Sequence, residues 1–202
     1  MCVVNPAVRT SRKPTIDEEE VQRLASQFGE PLRRTYDVQA AGTTLEQRWR
    51  TDSDRRAEVI FAIQGPGKGI WLHTKHNYPH PIFRLPSGGI DWDESVLDAL
   101  HREIDEETGL STITVERFVA LLHYRFHRGP SVVHFASYLF LVQNLGSKLE
   151  NHSNAEVAEF RAVLPCQIPQ AAADLRNILG ERRAWGHWRA LAHDVLHEMM
   201  KK

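Results

Sequence analysis

The chain has very little cysteine. Its two residues, Cys2 and Cys166, stand far apart in 202 positions, so no disulfide framework can staple the fold. That usage points to a reducing compartment, and a cytoplasmic location is the expectation. Long apolar runs are missing too: none reaches the length of a membrane-spanning helix, and the first residues carry no signal-type apolar stretch. Charge of one sign is not in excess. A net charge of −1, from 25 basic and 26 acidic residues, argues against a surface built for general nucleic-acid or membrane binding. Repeats and low-complexity tracts are absent. What is there is 42% hydrophobic, enough for one sizeable core with room for appendages.

The informative segment is Gly88 to Leu110, GGIDWDESVLDALHREIDEETGL. Glu103, Glu106 and Glu107 stand at i, i+3 and i+4, so a helix puts three carboxylates on one face. Val96, Leu97, Leu100 and Ile104 fall on the neighbouring face and can anchor that helix to a core. Gly109 sits where a helix takes its left-handed C-terminal residue. In a bare protein the arrangement is unfavourable. Each like-charged i, i+4 pair costs roughly 0.2–0.5 kcal/mol, and Glu106 and Glu107 lie at the negative end of the helix dipole. Hard divalent cations remove the conflict. Oxygen-only donors favour Mg²⁺ or Mn²⁺ over Zn²⁺, and Mg²⁺ characteristically shares its shell with substrate phosphates. A merely solvated acidic helix face does not account for nine specified positions matching one spacing across a loop–helix boundary.

The segment resembles the signature box of the Nudix hydrolases, G-x5-E-x7-R-E-U-x-E-E-x-G-U with U a bulky aliphatic, and every specified position matches. The box covers about a tenth of the chain. The resemblance implies an α/β/α sandwich with a mixed sheet. It also implies Mg²⁺- or Mn²⁺-dependent hydrolysis of a nucleoside diphosphate linked to another moiety. Carried over residue by residue, Glu103, Glu106 and Glu107 become metal ligands, and Glu94 binds metal directly or through water. Glu103 or another nearby carboxylate handles the attacking water, and Arg102 holds the loop and the glutamates in position. Gly88, Gly89 and Trp92 are the expected substrate-side residues; Trp92 could stack on a base or pack as a lid. The local form Leu85-Pro86-Ser87-Gly88-Gly89-Ile90 resembles members acting on dinucleoside polyphosphates or RNA 5′ ends. Those relatives usually carry Gln where this chain has Ser87, and Gly where it has Asp93.

Around the box the pattern reads as follows. Thr15 and Glu18 make a capping box for a helix with Val21, Leu24, Ala25 and Phe28 on its apolar side. Arg33 to Gln39 and Thr44 to Arg50 are expected to form a β-hairpin turning near Ala41-Gly42. Residues 1–55 thus form an N-terminal extension, and 56–202 the Nudix domain with its C-terminal helices. Such a hairpin resembles elements used for dimerisation or base contacts, so a homodimer stays open beside a plain packing role. Ala57 to Gln64 begins the core, Gly65 to Gly69 turns, and Ile70 to Thr74 returns. Thr112 to His127 is one long strand or two, and Val132 to Val142 runs back. Glu156 resembles a position that supplies a further ligand or base in some members, against the plain reading of a loop charge. From Gln170 two amphipathic helices follow.

Among eleven histidines, His193 and His197 at i, i+4, and the group His73, His76 and His80, read as packing or surface residues, since neither has a zinc-type motif around it. Three functions remain. They are a metal-dependent pyrophosphohydrolase on a nucleotide-type substrate, a nucleotide-sensing module on the same fold, and a diphosphate isomerase. Sensing members would be expected to lose box glutamates. An isomerase needs a cysteine near the site, where neither Cys2 nor Cys166 falls. The hydrolase is the reading that remains.

Overall fold

The computed structural model describes residues 14–48, 55–78, 81–110, 112–144 and 156–201. In chain order these form α1 (Glu18–Phe28), β1 (Leu32–Gln39), α2 (Leu45–Arg48), β2 (Arg55–Gln64), β3 (Ile70–Lys75), β4 (Ser87–Asp91) and α3 (Val96–Thr108). There follow β5 (Thr114–Arg128), β6 (Ser131–Gln143), β7 (Val157–Val163), α4 (Ile168–Arg176) and α5 (Arg183–Met200). Strand order is β1-β5-β6-β2-β3-β7, with β4 on β2 as well. β1 runs parallel to β5 and β2 parallel to β6, while the other pairs are antiparallel, so the sheet is mixed.

Strand alternation sends residues to two cores. Val59, Phe61 and Ile63 of β2 face α1 and α3, meeting Val21, Leu24, Leu100 and Ile104. Ile60 and Ala62 face the other way, toward Leu175 of α4 and Trp188 and Leu196 of α5. The expected α/β/α sandwich with C-terminal helices is thereby found. Leu100 and Ile104 are wholly buried, each worth about 1.5–3 kcal/mol of transfer free energy, and they fix the rotation of α3 about its axis.

Two local expectations are corrected. The first helix starts later than Thr15: its cap is Asp17, whose carboxylate accepts from Glu19 N and Glu20 N at 3.1 and 3.3 Å. A short carboxylate in extended backbone satisfies two orphan donors of the first turn. The N-terminal β-hairpin does not form. Thr43 Oγ1 accepts from Leu45 N at 3.2 Å and Glu46 Oε2 from Gly42 N at 2.9 Å, which turns Leu45–Arg48 into α2. Leu45 is then buried in the α5-side core. β1 pairs in parallel with the distant β5 instead and forms one edge of the sheet. Its charged residues are engaged. Arg33 pairs with Glu18, Arg34 with Glu198, and Asp37 with Arg125 and His127.

Other expectations stand. Residues 65–69 form the β2–β3 turn, with Lys68 N donating to Gly65 O at 2.9 Å. Gly109 closes α3 in the left-handed conformation, at φ 68°. β5 is one strand. Among the described residues no helix is long and apolar enough to cross a membrane.

Candidate active site

The box builds its site from both ends. Ser95 caps α3, accepting from Asp98 N at 3.1 Å. A second acceptor comes from α1: buried Glu20 takes Val96 N at 2.8 Å with one oxygen and Arg56 at 2.7 Å with the other. Arg56 also donates to Glu94 O at 3.0 Å. The loop between β4 and α3 is therefore strapped to the N-terminal helix.

Arg102 is the centre of the acidic cluster. Its Nε and Nη2 donate to the two oxygens of Glu94 at 2.8 and 2.9 Å. Nη1 donates to Glu103 at 2.8 Å and Glu106 at 3.2 Å, and Nη2 also reaches Gly89 O at 2.9 Å. A planar guanidinium can serve three carboxylates and a carbonyl at once, whereas an ammonium cannot keep that geometry. The Arg102 bonds hold Glu94 below the usual carboxylate range.

Glu103, Glu106 and Glu107 line one cavity of about 710 Å³, together with Gly88, Gly89 and Glu156. Gly88 is required by close approach. A Cβ there would lie 1.7 Å from Glu103 Cδ, so Glu103 rests on bare backbone. At Gly89 a Cβ would come within 3.0 Å of the Arg55 guanidinium. Glu107 is buried, and burial raises its pKa. Its Oε1 lies 3.2 Å from Lys75 Nζ, while Oε2 makes no hydrogen bond and stands 3.5 Å from His73 Nδ1. His73 is fully buried, and that burial, with Arg84 and Lys75 nearby, keeps its imidazole neutral. Lys75 also pairs with Glu156 at 2.7 Å, which lowers the Glu156 pKa.

The structure thus gathers Gly88, Gly89, Glu103, Glu106, Glu107 and Glu156. Glu94 sits behind them on Arg102, and Trp92, half-buried in the turn after β4, is not among the cavity's lining residues. Of the histidines, His73 is a core residue beside Glu107, and His193 is a core residue of α5; His80 lies outside the described residues. Sequence reasoning missed Arg55 and Lys75. Alternation along β3 puts Lys75 on the same side as His73, but only the fold brings that side under α3.

The donor set fits a hard divalent cation. Every candidate ligand offers oxygen, Glu107 Oε2 is buried with no hydrogen bond, and the Gly88 backbone leaves Glu103 its room. As the side chains stand, Arg102 and Lys75 occupy several of the oxygens, and no three His, Cys, Asp or Glu among the described residues form a ligand group.

Comparison with known proteins agrees with the box. The chain is 29% identical over 123 residues, 61% of its length, to an ADP-ribose pyrophosphatase of Methanocaldococcus jannaschii, covering 70% of that protein. It is 43% identical over 56 residues to an RNA pyrophosphohydrolase of Ruthia magnifica, covering 28% of this chain and 30% of that one. Among solved structures, a C. elegans Ap4A hydrolase complex aligns with a TM-score of 0.49 and 14% identity over 72% of this chain and 94% of that one, which bears on neither substrate nor mechanism. A family profile described as the NUDIX domain matches residues 54–182, well over half of the sequence, and the chain belongs to that family.

Proposed function

We propose that this Nudix pyrophosphohydrolase uses Mg²⁺ or Mn²⁺ to cleave the phosphoanhydride of a nucleoside diphosphate joined to a second moiety. The observation that carries the reading is the opening of Glu103, Glu106 and Glu107 onto one cavity, with Arg102 bonded to two of them. The second moiety is a sugar, as in ADP-ribose, a nucleoside polyphosphate, or an RNA 5′ end. The names of the archaeal and bacterial relatives support the first and last of these.

Glu103, Glu106 and Glu107 would hold the cation, with Glu94 fixing Arg102 behind them. Bound there, a divalent cation would lower the pKa of water and offset charge on the phosphoryl oxygens. Glu103 accepts the proton of the attacking water or holds that water in line. Glu156, across the same cavity, is the alternative for that step. Arg102 keeps Glu103 and Glu106 in one rotamer pair, so little reorganisation is left for the reaction itself. Lys75 offers an ammonium on the cavity wall to a phosphate oxygen.

The test is a phosphate-release screen over these substrate classes with each metal and product identification. Glu106→Gln and Glu107→Gln are each expected to lower kcat by about 100-fold or more. Full turnover in excess chelator would overturn the reading. Unchanged turnover in Glu156→Gln would leave Glu103 as the residue handling the water.

A further inference from the structure

A second cavity, also of about 710 Å³, adjoins the acidic one; Arg55, Lys75 and Glu156 line both. Its character is different. Five basic side chains, Arg55, Lys75, Arg84, Arg182 and Arg189, face two carboxylates, Glu156 and Glu181. Part of that excess is already matched: Lys75 is held by Glu107 and Glu156, and Arg189 by Glu58 at 2.8 Å.

Arg84 and Arg182 are another matter. Arg84 is 4% exposed, yet its hydrogen bonds go to neutral acceptors: the Tyr78 hydroxyl at 2.7 Å, Leu85 O at 2.7 Å and Ser87 Oγ at 3.0 Å. Arg182 donates to Asn77 O at 2.9 Å and stands 5.4 Å from the Tyr78 ring centroid. Among the described residues neither guanidinium is in ion-pair contact with a carboxylate. Glu107 and Glu58 favour the Arg84 charge through space, but their direct ion pairs are with Lys75 and Arg189. Guanidinium groups match phosphate oxygens in geometry, so the chamber offers buried Arg84 and half-buried Arg182 to an anion as a direct partner. The shared wall says where it comes from. A ligand with one phosphate at the carboxylates of α3 runs past Lys75 into this chamber.

We propose that the chamber is an anion subsite, formed by Arg84 of the segment before β4 and Arg182 at the start of α5, that binds substrate phosphates remote from the bond cleaved. The proposal rests on the anhydride-cleaving reading above and narrows it. Substrates with a polyphosphate extension are selected over those, such as ADP-ribose, whose second moiety is an uncharged sugar.

Two measurements on the full chain test it. The first is calorimetric binding of inorganic tripolyphosphate in metal-free buffer, where the α3 carboxylates repel the probe and contribute no affinity. Arg182→Gln is expected to weaken binding about 10-fold, the loss of one charge-assisted hydrogen bond. Arg183→Gln, the same charge change at the exposed next residue, should weaken it less than about 2-fold. Absence of binding to the unaltered protein, or equal weakening in both variants, would overturn the subsite. The second compares diadenosine tetraphosphate with ADP-ribose in the presence of Mg²⁺. Arg182→Gln should raise KM for the tetraphosphate about 10-fold with kcat preserved, and leave ADP-ribose within about 2-fold. Equal effects on both substrates would refute the selection. If the unaltered protein cleaves no anhydride at all, the activity is refuted, while tripolyphosphate binding still decides the subsite.

Discussion

At the scale of residues, the site depends on one arginine more than on any single carboxylate. Arg102 spends its donors on Glu94, Glu103, Glu106 and the Gly89 carbonyl. Lysine at this position would keep the charge and lose the fork. Arg102→Lys is therefore expected to lower kcat by about 100-fold through loosened rotamers, while circular dichroism and the urea midpoint stay close to those of the unaltered protein. Unchanged turnover would reduce Arg102 to a helix-surface charge. Glu103, Glu106 and Glu107 were legible in the sequence, because helical spacing fixes which side chains share a face, while Arg102 and Glu94 entered through the resemblance to the box. His73, Lys75, Arg84 and Arg55 were not legible as neighbours of that face. The positions of His73, Lys75 and Arg55 follow from the pairing of β3 with β7 and of β2 with β4, and that of Arg84 from its bridge to His73; pairing between separate segments leaves no local pattern.

At the scale of elements, α3 is held at three places. Leu100 and Ile104 press it to the sheet, Gly109 ends it, and Glu20 of α1 caps it from 76 positions away. The last contact makes the first helix part of the machinery. Glu20→Gln keeps the shape and removes the charge that Arg56 and Val96 N share. Its expected cost is about 1–3 kcal/mol in chemical denaturation, with a fall in kcat that exceeds any change in KM. A stability loss with kinetic constants untouched would confine Glu20 to packing. The elements were mostly readable: the core strands and the box helix matched their expected spans within a few residues. The hairpin was misread because alternation in residues 44–50 resembled a strand. The Thr43–Glu46 spacing, a capping signature, outweighed that pattern.

At the scale of the molecule, stability should carry a signature of buried neutral histidines. His193 Nε2 accepts from Leu85 N at 3.0 Å, so its Nδ1 carries the proton and donates to Arg189 O at 3.0 Å. Burial pulls its pKa down to about 4, against an ordinary value of 6.5, and burial lowers that of His73 as well. Below pH 6.5 the unfolded chain takes up protons that the folded one refuses, so stability falls as pH drops and the loss from His193 levels off near pH 4. Between pH 6.5 and 5 that residue alone accounts for about 1.6 kcal/mol. Urea titrations at both pH values should show the drop, and a flatter dependence in His193→Gln; identical slopes would remove His193 as its source. The β1 edge has a different bearing on behaviour in solution. An open strand edge is a template on which a second copy can grow, and many chains precipitate that way. Here Arg33, Arg34 and Asp37 are tied to partners on α1, α5 and β5, and a second strand laid along this edge would have to disturb those pairs. Crowding should therefore drive few copies together through this edge. Light scattering at rising protein concentration would register the difference as an earlier onset of clustering once Arg33, Arg34 and Asp37 are all replaced by threonine.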